Sequence, residues 1–184
     1  MPIEIKKLIF KYWLIPICDE WCTDYISQNS FKIIDINKFK VITKGRRTIY
    51  GTYVCHKGSS YQWRIKINEY HGAGTLYWHP CIGIIINKKD ILEKWVDDNG
   101  YAYKKQGYFV AGTTGKKIPE TKKYCKTFDK IGDIMKVNLD LINYTLKYEI
   151  NGKDYGIAFD NIEKYDYRLV VTVAEGENTE LELM

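Results

Sequence analysis

From Phe31 onward, apolar and polar residues alternate in short runs, the period of a strand with one buried face. Phe31–Ile36 and Phe39–Thr43 make the first two runs, joined across Asn37-Lys38. Thr48–Cys55 and Gln62–Asn68 follow, the latter with Trp63, Ile65 and Ile67 alternating with Arg64 and Lys66. Cys81–Ile86 is almost unbrokenly apolar, which predicts a strand covered on both faces. Tyr108–Ala111 is a short run that stops at Gly112. Further on, Asp133–Leu139 leads into Thr145–Ile150, and Lys153–Ala158 returns from it across Asn151-Gly152, a pair suited to the left-handed conformations of a two-residue hairpin. Leu169–Val173 and Thr179–Leu183 complete the set. A lone sheet must bury its apolar face on another, so this many short strands predicts an all-β sandwich or barrel.

Ahead of Ser27–Ser30 the period changes. Ile5, Leu8, Ile9 and Tyr12 recur at helical spacing behind Pro2, which a helix start tolerates. The chain therefore divides into a short N-terminal helical segment, 1–29, and a sandwich domain, 30–184. The apolar stripe of such a helix is expected to pack on the sandwich. Lys89–Val96 is the one later helical candidate, a turn or two on a long connection.

Composition changes this picture little. Hydrophobic residues make up 45% of the 184 and charged residues 28%, a globular balance that excludes a disordered chain. The 16 Tyr and 5 Trp suit pleated surfaces. Net charge is +5, but the lysines fall singly or in pairs such as Lys88-Lys89 and Lys122-Lys123, the pattern of a solvated surface rather than of a nucleic-acid-binding stripe. Five cysteines, Cys18, Cys22, Cys55, Cys81 and Cys125, give no disulfide framework and predict reduced thiols in an intracellular protein, cytoplasmic or nuclear. No run reaches the ~18–20 apolar residues of a membrane span. Leu8–Ile17 is interrupted by Lys11 and lacks a small-residue cleavage site, which argues against a secretory signal.

Motifs that would carry chemistry are incomplete. His79-Pro80-Cys81 lacks the His-x-Glu unit and second close cysteine of a zinc deaminase. Cys18 and Cys22 form no Cys-x-x-Cys pair for zinc. Gly112-Thr113-Thr114-Gly115-Lys116-Lys117 has Val110 where a phosphate loop needs its first glycine and Lys117 where it needs Ser or Thr. Asp97-Asp98-Asn99-Gly100 has no closing Glu for calcium and reads as a turn. No catalytic residue, metal or cofactor is expected, and the chain is read as a non-enzyme.

From Ile131 onward the text resembles the SPRY domain family. The block Gly132-Asp133-Ile134, Val137-Asn138-Leu139-Asp140, Thr145-Leu146, Asn151-Gly152 and Gly156-Ile157-Ala158-Phe159 is similar to that family's most recognisable stretch. Upstream, Gly58 with Tyr61-Gln62-Trp63-Arg64-Ile65 resembles its aromatic-Trp strand, Ile82-Gly83-Ile84 its glycine-centred buried strand, and Tyr108 with Gly112 and Gly115-Lys116 its aromatic-turn segment. The motifs occur in family order over roughly 30–184. Arg64 stands where the family commonly has an acidic residue, and Lys136 where it usually has glycine. At the N-terminus, Met1–Ile5, Ile9-Phe10, Tyr12 and the pair Cys18 and Trp21 resemble a shortened F-box, with too few residues between Tyr12 and Cys18 for a full one.

The SPRY resemblance implies an all-β, two-layer antiparallel β-sandwich of the concanavalin-like kind that binds a protein or peptide partner through rim loops. By it, the matching segments are 44–50, 87–103 and 174–177, and the expected partner-binding residues are Arg46, Arg47, Tyr50, Trp95, Tyr101, Tyr103 and Glu175. Arginine offers a fork of donors, and Tyr and Trp supply contact area at low entropic cost. The Arg46-Arg47 pair points to an acidic segment in the ligand. The F-box resemblance implies instead a substrate receptor of a ubiquitin ligase, with residues 1–26 docking a Skp-type adaptor. A lectin-like, glycan-binding sandwich is the remaining alternative.

Overall fold

A computed structural model of the chain describes residues 14–16, 20–22, 31–42, 47–70, 80–88, 100–104, 108–111, 124, 128, 130–173 and 179–184. The described residues hold fourteen strands: β1 (Leu14–Pro16), β2 (Trp21–Cys22), β3 (Phe31–Asp35), β4 (Lys38–Val41), β5 (Arg47–Gly51), β6 (Ser60–Glu69), β7 (Cys81–Ile86), β8 (Gly100–Lys104), β9 (Tyr108–Ala111), β10 (Ile134–Asp140), β11 (Thr145–Ile150), β12 (Lys153–Phe159), β13 (Tyr167–Val173) and β14 (Glu180–Leu183). They form two sheets. The first runs β12-β11-β10-β6-β14-β4-β3, with β1 parallel to the start of β6; the second runs β2-β5-β13-β7-β8-β9.

Alternation drives the layering. In β6, Trp63, Ile65 and Ile67 are buried while Arg64 is exposed. From the opposite sheet, Tyr103 brings its ring to 5.7 Å from that of Tyr148, and the Tyr148 hydroxyl donates to the Ile82 carbonyl at 3.1 Å. That bond joins the two layers through an otherwise apolar core, where a buried hydroxyl needs a partner. β7 is buried at every position, as its unbroken apolar run predicts.

The hairpin between β11 and β12 carries positive φ at both central residues, Asn151 (51°) and Gly152 (80°). Its Asn151 side chain accepts from the Ile134 amide at 2.9 Å and donates to Asp133 at 2.8 Å, which ties the turn to the entry of β10. Gly156 takes a φ of 83° where the β11–β12 register shifts. The space beside it is open, so conformation rather than room selects glycine there.

Several expectations are adjusted. The first hairpin turns at Ile36-Asn37 rather than Asn37-Lys38. β5 ends at Gly51, and Cys55 makes an isolated bridge to Tyr167 instead of prolonging it. β8 lies in a stretch read as loop. The N-terminal helix over Ile5–Tyr12 and the Lys89–Val96 helix lie outside the described residues. Within 1–29, however, residues 14–16 and 21–22 are strands, one in each sheet. Trp21 is 4% exposed, meets Phe39 edge-on at 4.8 Å, and donates its indole N–H to the Asn37 carbonyl at 2.9 Å. This part of the expected appendage is integral to the sandwich.

Candidate binding rim

Strand register decides which connections share an end of the sandwich. Arg47, opening β5, is paired with Val173, closing β13. Cys81, opening β7, pairs with Thr172, and Lys104, closing β8, pairs with Cys81. In the other sheet the Val41 amide donates to the Thr179 carbonyl at 2.9 Å, and Glu180 faces both Lys40 and Glu69. The strand ends flanking residues 42–46, 70–80, 105–107 and 174–179 therefore gather at one rim. Arg46 adjoins Arg47, and Glu175 follows Val173 by two residues, so two cationic positions and one anionic position attach to a single strand pair.

The opposite rim is where β5 leaves for β6, β10 for β11 and β12 for β13. Ile86 closes β7 there, paired with Tyr167, and Gly100 opens β8, paired with Ile85. The strand ends flanking 87–99 thus belong to this second rim, away from those flanking 42–46 and 174–179. Of the three segments expected to converge, the strand ends flanking two meet at the first rim, while the third leaves β7 at the second rim and reaches the first only at the end of β8.

The seven expected binding residues separate accordingly. Arg46, Trp95 and Glu175 lie outside the described residues, and of Arg47 only the backbone position is described. Tyr50, Tyr101 and Tyr103 require correction. They are 2%, 7% and 0% exposed and belong to strands of the second sheet, not to loops. Tyr50 stands between Val170 and Cys22, its partners on β13 and β2. Tyr101 packs edge-on against Phe159 at 5.2 Å, and its hydroxyl accepts from the Glu163 amide at 3.2 Å. Tyr103 packs on Tyr148 between the sheets. The area that makes tyrosine a good anchor is spent within the chain, leaving none to bury against a partner.

Residues that sequence reasoning passed over order the second rim. Asp140 accepts from the Ser60 hydroxyl (3.1 Å), the Ile142 amide (2.8 Å), and the Asn143 amide and side chain (3.1 and 2.6 Å). Burial works against its charge, but these donors together outweigh burial and hold its carboxyl below the usual range. Arg168 donates to the Asn87 side chain at 2.7 Å and to the Gly51 carbonyl at 3.3 Å. His56 Nδ1 lies 3.1 Å from the Asp166 carboxylate, an exposed pair of small energetic worth. The Tyr61 hydroxyl bonds to the backbone of His56 rather than to its ring, and burial pushes the pKa of that phenol up. These bonds close turns. Asp140, a turn-type residue four positions before Tyr144, carried the one legible signal for them.

No protein-family model and no curated protein sequence matches the chain. Solved structures do. The SPRY domain of human HERC1 superimposes with a TM-score of 0.67 at 13% identity, over 86% of this chain and 96% of that one. The TRIM65 PSpry domain gives 0.60 at 8% identity, over 100% and 99%. The NHR1 domain of neuralized from Drosophila melanogaster gives 0.54 at 13%, over 90% and 97%. With the two-sheet order and the strand register, these likenesses establish that the chain folds as a SPRY-type β-sandwich.

Proposed function

We propose that the domain is a non-catalytic protein-interaction module that takes a peptide or protein partner at the rim where β4 passes to β5 and β13 to β14. The observation that carries this reading is the pairing of Arg47 with Val173, which attaches Arg46, Arg47 and Glu175 to one strand pair. Loops at a sandwich rim vary in sequence without disturbing the ladder beneath them, so recognition is best placed there. Two arginines consecutive in sequence suit an acidic ligand segment, and Glu175 suits a basic or donor group. At the opposite rim, by contrast, Asp140 closes a turn and Arg168 is bonded to Asn87 and the Gly51 carbonyl. Docking of a Skp-type adaptor through residues 1–26 is not carried forward, because the Trp21 side chain that the F-box resemblance singles out is buried in the sandwich.

The reading is tested by affinity capture from a lysate of the native host with the intact chain, the Arg46→Glu/Arg47→Glu variant and a Lys88→Glu variant at the opposite rim. Capture of a protein lost on the first substitution, by about tenfold or more, and unchanged on the second is the expected result. Equal capture by all three chains would refute the assignment of the rim.

A further inference from the structure

The hairpin of β3 and β4 concentrates exposed apolar surface. Ile33, Ile34, Ile36 and Ile42 are 37%, 45%, 57% and 46% exposed, all within ten residues. β3 is also the outermost strand of the first sheet, with β4 as its one neighbour among the described residues. Its register contains an irregularity: Ile33 faces Phe39 and Asp35 faces Lys38, leaving Ile34 as an extra residue. The bulge has a consequence for charge. In a regular strand, residues three apart point to opposite faces. Here Lys32 shares the face of Lys40, and Asp35 shares the face of Lys38. Both of those lysines lie on the outward face, bound to Glu69, Glu180 and Glu182. Lys32 and Asp35 thus stand on one side of the strand, separated by two isoleucines. Lys32 faces a like charge across the hairpin, an arrangement that costs stability unless an anion intervenes.

We propose that this edge is a self-association surface whose occupant is β3 of a second copy of the same chain. An antiparallel two-fold arrangement about the Ile33–Ile34 peptide sets Lys32 against Asp35 of the second copy and Ile33 against Ile34. Symmetry repeats each pairing. The segment is self-complementary in charge, in apolar content and in face, and the bulge makes the faces match. A bulged edge bearing charges discourages arbitrary strands, which lack the same spacing, and so favours a copy of itself. This association involves neither rim and stands or falls separately from the recognition proposed above.

Sedimentation equilibrium of the intact chain over a concentration series provides the test. The wild-type chain is expected to show a reversible monomer–dimer equilibrium. Lys32→Asp alone and Asp35→Lys alone each place like charges across the two-fold and should weaken the dimer by about tenfold. The double variant Lys32→Asp/Asp35→Lys restores both pairs and should recover dimerisation. An equimolar mixture of the two single variants should form a heterodimer, since each supplies what the other lacks. A wild-type chain that stays monomeric throughout, or a dimer indifferent to these exchanges, would overturn the proposal. So would a dimer that the single exchanges weaken without recovery in the double variant and the mixture. Pairing of β3 with a strand of a different protein in place of its own copy would overturn it as well.

Discussion

Gly83 sits where the second sheet leaves no room for a side chain. A Cβ built there would lie 2.0 Å from the Tyr101 carbonyl oxygen and 2.6 Å from the Ala102 Cα. Those atoms are backbone, so relief requires β7 and β8 to separate. Gly83→Ala is expected to cost about 3 kcal/mol, read as a fall in the urea midpoint; a change of a few tenths would contradict the packing described. Asp140 makes a different kind of contribution, through its charge. Its folded carboxyl titrates below the unfolded one, as do Asp154, stabilised chiefly by the Gly156 amide, and Glu182, stabilised chiefly by the Asn68 side chain. Their stabilisation is complete above the ordinary carboxylate range of ~4 and is lost as pH falls through the lower folded values. Stability should therefore decline on acidification below about pH 4, and Asp140→Asn should flatten that decline. An unchanged pH profile in the variant would count against the bonds assigned to Asp140.

At the scale of elements, the test falls on the first strands. β1 and β2 are three and two residues long, yet one extends the lane beside β6 and the other seals the edge of β5. Trp21→Ala should destabilise the whole sandwich by about 3–5 kcal/mol in an equilibrium melt, because it empties a buried site and breaks the bond to Asn37. A variant as stable as the wild type would show residues 14–22 to be a detachable appendage after all. The sequence reading failed at these strands for a physical reason: so short an element has no period of its own and is stabilised by its neighbours. Where a run was long enough, legibility was high. Cys81–Ile86, Tyr108–Ala111 and Thr145–Ile150 match their observed strands end for end. β8 is hard to read because Asp97-Asp98-Asn99-Gly100 has the composition of a turn. Even so, Gly100-Tyr101-Ala102-Tyr103 alternates small and large as β7 requires, with Ala102 against Gly83. The candidate site was less legible. Tyr50, Tyr101 and Tyr103 have the amphipathic area that marks a binding anchor, and the same property suits a core with one polar atom to satisfy. Register, which composition does not reveal, separates the two uses.

For the whole molecule, the function proposed above divides the SPRY-type sandwich into a supporting part and a recognising rim. The core is closed by bonds such as Tyr148 to Ile82, and the second rim is held by its own turns around Asp140 and Arg168. The start of β5 and the end of β13, which adjoin 42–46 and 174–178 in the chain, coincide at the other rim because the two strands are antiparallel neighbours. A partner bound across both segments would meet Arg46, Arg47 and Glu175 together, and it would not meet the 87–99 connection, whose flanking strand ends lie at the far rim. Hydrogen–deuterium exchange of the intact chain, with and without the partner recovered by affinity capture, measures this directly. The account predicts new protection confined to residues 42–47 and 174–179, with the turns at 51–59, 141–144 and 160–166 unchanged. Protection centred on those turns instead would contradict it.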